Sequence, residues 1–196
     1  MHKKFSFKGL RVIFFLVTLS FIHDFYALYL FYYQHKSNFI FYNIYQLTET
    51  ISLYCFFCLI IRNTSIKKVI VFFGILYCIV WLLSFLEFGT KSYYTSCTNF
   101  ENMTLLALAI FYYYEQIIII DSAFIYAEST FWIVTAYFIY MAGIFFLYLY
   151  MASLSLEEQE KYYVLNYIFI IIRTILLSVA LLIKPGFSKI DNKNLI

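Results

Sequence analysis

Four ionisable side chains lie where this sequence is otherwise oily: Asp24, Glu49, Glu115 and Arg173. The setting of Glu115 is FYYYEQIIIID, residues 111–121, three tyrosines ahead of it and four isoleucines behind. A charged side chain at the centre of a membrane helix costs about 2.5–3.5 kcal/mol if it faces lipid. Turning the four inward toward one another removes most of that cost. Two chemistries follow. Arg173 can pair with one or two acids and fix helix register, with nothing bound. Alternatively the acids form a polar pocket that takes up a proton or a ligand. Three acids to one base leave an excess of negative charge in a low dielectric. One acid is therefore expected to hold a proton, with His23 available for compensating charge or a hydrogen bond.

Neighbouring residues extend the polar faces. Asn43, Gln46, Glu49 and Thr50 recur at three-to-four spacing, one stripe of a helix. Asn166 and Arg173 are two turns apart on another, Tyr112, Glu115 and Gln116 group on a third, and Ser20, His23, Asp24 and Ala27 on a fourth. Ala136, Tyr140 and Gly143 give a small-residue face that admits a neighbouring helix. The expected ligand-binding or proton-sensing set is Asp24, Glu49, Glu115, Arg173, His23, Gln46, Asn43, Gln116 and Asn166.

Other chemistry is poorly supplied. Cys55-Phe-Phe-Cys58 has the spacing of a redox pair, but it lies in an apolar run and reads as small apolar packing. Cys97 falls in an expected outer loop. Three histidines, His2, His23 and His35, are too few and too scattered for haem or a zinc hydrolase. There is no P-loop, HExxH or nucleophile elbow, and no lysine at mid-span for a Schiff base. No metal or cofactor is expected, and a non-enzymatic role is favoured. Asp24 or Glu49 could activate a water for an intramembrane hydrolase; an intramembrane lipid-modifying enzyme and a proton-linked small-solute transporter are the rival classes. Transporter folds break their helices with Gly and Pro near the midplane. Here Pro185 follows the last apolar run, and Gly74 and Gly143 are the glycines well inside one.

The elements that would position these residues are membrane helices. The chain of 196 residues is 64% hydrophobic and 13% charged, with mean hydropathy +0.80. A soluble fold this small cannot hide so much apolar surface. Apolar runs at about 10–33, 42–61, 69–88, 103–120, 130–151 and 163–183 each approach the ~20 residues that cross a bilayer. Lipid obliges them to be helices, because the backbone must satisfy itself. The first run follows Lys3, Lys4, Lys8 and Arg11 as a signal peptide would, but no small-residue cleavage site follows, so it reads as a retained span. Lys3, Lys4, Lys8 and Arg11, then Arg62, Lys67 and Lys68, then Lys184, Lys189 and Lys193 all fall on one side of a six-span arrangement. That bias places both termini in the cytoplasm. The 121–129 loop, with Asp121 and Glu128, does not contribute to it. The longest loop, 89–102, is too short for a domain, and Leu156–Tyr163 (LEEQEKYY) reads as a solvated charged loop. The fold expected is all-α: one integral membrane six-helix bundle over 1–196, with the bilayer as its first partner and a membrane protein or a second copy as another. Nucleic acid is not expected. The Ile, Phe, Tyr, Asn and Lys bias suggests an AT-rich bacterial source, hence a bacterial cytoplasmic membrane.

The stretch Phe131-Trp132-Ile133-Val134, continuing through Tyr140 to Gly143 and Phe146, resembles a segment of small bacterial polytopic membrane proteins of about 200 residues and unassigned function. Some of those accompany two-component signalling proteins. The resemblance implies a sensory or accessory role and brings no catalytic motif.

Overall fold

The computed structural model describes residues 2–30, 39–89, 94–118, 125–151, 154 and 156–183. They form six α-helices: α1 (His2–Tyr29), α2 (Phe39–Ile60), α3 (Thr64–Phe88), α4 (Thr95–Ile118), α5 (Ser129–Met151) and α6 (Leu156–Leu182), with a single 3-10 turn at Ile125–Ala127. No strand occurs among the described residues. Among the described residues, four stretches are long and apolar enough to cross a membrane: Gly9–Ala27, Thr64–Phe88, Ser129–Met151 and Val164–Leu182. Large apolar side chains along them, such as Phe14, Phe21, Leu86 and Leu182, face outward. So much contiguous outward apolar surface needs lipid against it, and the chain is a membrane protein.

The chain divides into two compact units, Phe7–Leu105 and Leu106–Ile196 with Met1–Ser6. The sequence offers no linker between them, because the division falls inside α4.

In the first unit α2 is central. Asn43, Gln46, Glu49, Thr50, Leu53, Tyr54, Phe56 and Phe57 are all buried along it. α1 runs antiparallel to it, Gly9 lying against the Phe56 ring at one end and Tyr26 against Phe41, centroids 4.9 Å apart, at the other. Gly9, Ile13, Leu16 and Ala27 make the buried seam of α1. The turn from α2 to α3 is tight because Asn63 caps α3, its Oδ1 accepting from the backbone N–H of Ser65 at 2.9 Å and Ile66 at 3.3 Å. α3 ends at Gly89, whose φ of 58° suits the residue without a Cβ and whose N–H reaches Phe85 O at 2.8 Å. The first half of α4 returns along α2 and α3, with the Phe100 ring beside Phe73 and Tyr77.

In the second unit α5 is central, and α6 packs antiparallel on it. Gly143 permits the approach: a Cβ there would overlap the Phe169 ring. Tyr150 and Tyr162 meet edge-on, centroids 5.1 Å apart. The second half of α4 meets α5 through Tyr113, whose ring lies edge-on to Phe131 and Phe138 at 5.9 Å each.

Three expected boundaries shift. α4 starts at Thr95, not near 103, so most of the expected outer loop 89–102 is helix. α6 starts at Leu156, so LEEQEKYY forms its first turns instead of a loop; Glu, Gln and Lys are good helix formers and no Gly or Pro interrupts them. The basic N-terminal segment is also helical from His2. Apolar runs mark where a helix meets lipid, not where it begins.

Candidate functional site

The polar stripe of α2 is buried as a unit. Asn43 and Thr50 are fully enclosed, Gln46 is buried, and Glu49 is 8% exposed. What it meets is the first half of α4. Gln46 Nε2 donates to Thr98 Oγ1 at 2.8 Å and to Glu101 Oε2 at 3.2 Å. Glu101 is 4% exposed, and Asn102 beside it is buried too. One turn further along α2, Thr50 Oγ1 returns its proton to Gln46 O at 2.9 Å. Two turns along, Tyr54 OH is 2.7 Å from Thr104 Oγ1. The Thr104 hydroxyl donates to Phe100 O at 2.8 Å, so the Tyr54 hydroxyl is the donor of the pair.

At the other end Asn43 ties three elements together. Its Oδ1 accepts from the Tyr94 N–H at 3.2 Å, and its carbonyl accepts from Trp81 Nε1 at 3.0 Å. Tyr94 OH donates to Gly89 O, closing the connection between α3 and α4. Burial raises the Tyr94 phenol above its ordinary value, with the Cys97 thiol adding to the effect and the Asn43 contact opposing it. The hydroxyl therefore remains a donor. Cys97 is buried in α4 with its sulfur 3.6 Å from Ser84 Oγ; it is not a loop thiol.

The expected residues fall into three places. Asn43, Gln46 and Glu49 share the α2 face just described. His23 lies on the same unit, its ring stacked on Tyr45 at 4.4 Å and edge-on to Tyr42 at 4.8 Å, with Nδ1 3.2 Å from Asp24 Oδ1. Asp24 itself is 68% exposed, so it does not turn inward as the sequence suggested. Its helix position puts it one residue past the buried seam, and His23 takes the inner position. Glu115, 6% exposed, Gln116, half-buried, Asn166 and Arg173 belong to the second unit. The Arg173 guanidinium sits over the Tyr140 ring at 4.2 Å and near Tyr137 at 5.7 Å, a cation–π arrangement from α6 to α5.

Sequence reasoning missed Thr98, Glu101 and Asn102, because the apolar run of α4 begins after Asn102, and Thr104, a lone hydroxyl at the start of that run. Position could have found them. Thr98, Glu101, Leu105, Leu108, Tyr112 and Glu115 are all buried at three-to-four spacing, one stripe that crosses from polar to apolar composition without losing register.

Chemically, the α2–α4 cluster offers carboxylates, amide groups and hydroxyls within a largely apolar unit. Such a set can hold a proton or bind a small hydrogen-bonding molecule. It has no activated nucleophile. Among the described residues no three His, Cys, Asp or Glu side chains are grouped so as to hold a metal ion. Comparison with known protein families, curated proteins and solved structures finds no match to this chain.

Proposed function

We propose that this chain is a non-enzymatic sensory or accessory module of a bacterial cytoplasmic membrane. All six helices would span, with both termini cytoplasmic. α2 is 22 residues and α4 is 24, about 33 and 36 Å long, enough to cross despite their polar stripes. The observation that carries the reading is the Gln46 amide bridging Thr98 and the buried carboxylate of Glu101, with Glu49 enclosed one turn along the same stripe. Buried carboxylates within membrane helices are costly and rarely idle. The cluster would take up a proton or a small hydrogen-bonding ligand. The resulting change in the α2–α4 contact would alter what the cytoplasmic loops present to a membrane partner.

The test is infrared difference spectroscopy of the full chain in nanodiscs, stepped between alkaline and acidic buffer. A carboxyl stretch that appears on acidification and is lost in Glu101→Gln or Glu49→Gln is expected. A spectrum identical in wild type and both variants removes proton uptake from the reading. Solute uptake into proteoliposomes that ceases in Glu101→Gln would replace it with transport, and lipid turnover by the purified chain would replace it with catalysis.

A further inference from the structure

The geometry points to a binding site for one anionic phospholipid on the α2–α3 face, away from the α2–α4 cluster. Between these helices runs an apolar groove of about 460 Å³, walled on one side by Ile51, Cys55 and Cys58 and on the other by Val71, Cys78 and Leu82. Gly74 forms part of its wall: a Cβ there would come only within ordinary contact of the Tyr54 ring, at 3.5 Å, so the space in front of it is open. Ile51, Cys55, Val71, Cys78 and Leu82 are exposed, and α3 is one of the helices apolar enough to cross a membrane. Hydrocarbon is therefore what meets the groove.

Charge selects the occupant. Lys67 lies on the same helical stripe as Val71, Gly74, Cys78 and Leu82, at successive spacings of four, three, four and four residues. Lys67 lies at the start of α3 and Cys58 in the last turn of α2, so both stand at the end of the groove where the two helices are joined. Lys68 is exposed beside Lys67, and Arg62 follows Cys58 by four residues, just past the end of α2. Both walls thus run out into bases at the same end. The N–H groups of Ser65 and Ile66 are already taken by Asn63, so recognition of an anion there falls to the basic side chains. From Val71 to Leu82 the groove extends about 16 Å along α3, close to the ~15 Å depth of one leaflet's hydrocarbon. A partner helix would need a broader seat, being about 10 Å across. One acyl chain with its net negative headgroup held by Lys67 and Lys68 matches both the length and the charge.

The experiment uses the full chain in phosphatidylcholine nanodiscs carrying a trace of phosphatidylglycerol or phosphatidylcholine with a photoactivatable acyl chain; adducts are mapped by peptide mass spectrometry. Phosphatidylglycerol adducts are expected to concentrate on the groove walls. Gly74→Leu, which fills the groove, should cut them at least fivefold, whereas Gly74→Ala should not. Lys67→Glu with Lys68→Glu should reduce phosphatidylglycerol adducts by about fivefold or more for each charge and leave phosphatidylcholine labelling unchanged. An unchanged circular dichroism spectrum certifies folded variants, and the adduct pattern is scored only on those. Adducts spread equally over the outward faces of α1 and α6 overturn the proposal. So do equal yields from the two lipids, or groove residues found crosslinked to a second copy of the chain.

Discussion

Replacing Gln46 by leucine isolates the contact on which the α2–α4 cluster depends. In water-soluble proteins a hydrogen bond to a charged group contributes about 1.5–3 kcal/mol and a neutral one about 1 kcal/mol. In membrane proteins measured interhelical bonds are weaker, averaging about 0.6 kcal/mol with a maximum near 1.7 kcal/mol. Gln46 makes one bond to Thr98 and one to Glu101. The bonds alone therefore set a loss of about 1–3 kcal/mol. Glu101 adds to this, because it is 4% exposed and cannot turn to water for the hydrogen bond it loses. Gln46→Leu should cost about 2–4 kcal/mol. The diagnostic comparison is the double variant Gln46→Leu with Glu101→Leu. Removing both partners replaces a polar pair by apolar volume and should restore at least 1 kcal/mol relative to Gln46→Leu alone. The assay is reversible unfolding in bicelles by steric trapping, with all variants measured in one lipid mixture. Additive losses, or a Gln46→Leu cost within about 0.5 kcal/mol of zero, would refute the view that the Gln46 amide supports a buried carboxylate.

Gly143→Leu should weaken the α5–α6 pair by about 1–3 kcal/mol, because the Phe169 ring occupies the space of a Cβ, and Phe169→Ala should rescue it in a thermal melt. Asn63→Ala should cost about 1 kcal/mol and speed amide exchange at Ser65 and Ile66, whereas Asn63→Asp should keep both. Arg173→Lys should behave more like Arg173→Met than like wild type in thermal stability, since the flat guanidinium over Tyr140 has no lysine equivalent. Asp24→Asn should shift stability by less than about 0.5 kcal/mol, since the carboxylate is exposed.

Hydropathy made the membrane setting and the six helices in their order legible, because lipid demands continuous apolar runs and leaves little else to compete. Periodicity made the α2 stripe legible: Asn43, Gln46 and Glu49 could share a face only if it turned inward. Helix ends were not legible. Thr95–Asn102 and Leu156–Tyr163 are polar, so a reading based on apolar runs stops short of both. The partner of the α2 stripe is lost with the first of these, since Thr98 and Glu101 lie where the apolar pattern reads as a loop. The outward turn of Asp24 is hidden in the sequence for a different reason. His23 and Asp24 are adjacent, about 100° apart on a helix, and composition does not say which of the two faces the neighbour. The tyrosines Tyr42 and Tyr45 decide it, by offering rings to the imidazole.

The same device recurs at three of the polar contacts between these apolar helices, and it bears on which residue can act as a switch. Thr98, Thr104 and Thr135 each give their own proton to a carbonyl one turn back and present the oxygen to a neighbouring helix. Gln46, Tyr54 and Tyr113 are the donors that reach them. A threonine so placed costs its helix nothing in unsatisfied backbone and fixes register against the next one. These pairs hold the same charge at every ordinary pH. Glu101 differs from them, because it shares the Gln46 donor with Thr98 and can gain or lose a charge. Protonation there would change what the Gln46 amide prefers, one turn along α4 from the Tyr54–Thr104 pair. A signal of that kind would move one contact within a register that the threonines keep fixed.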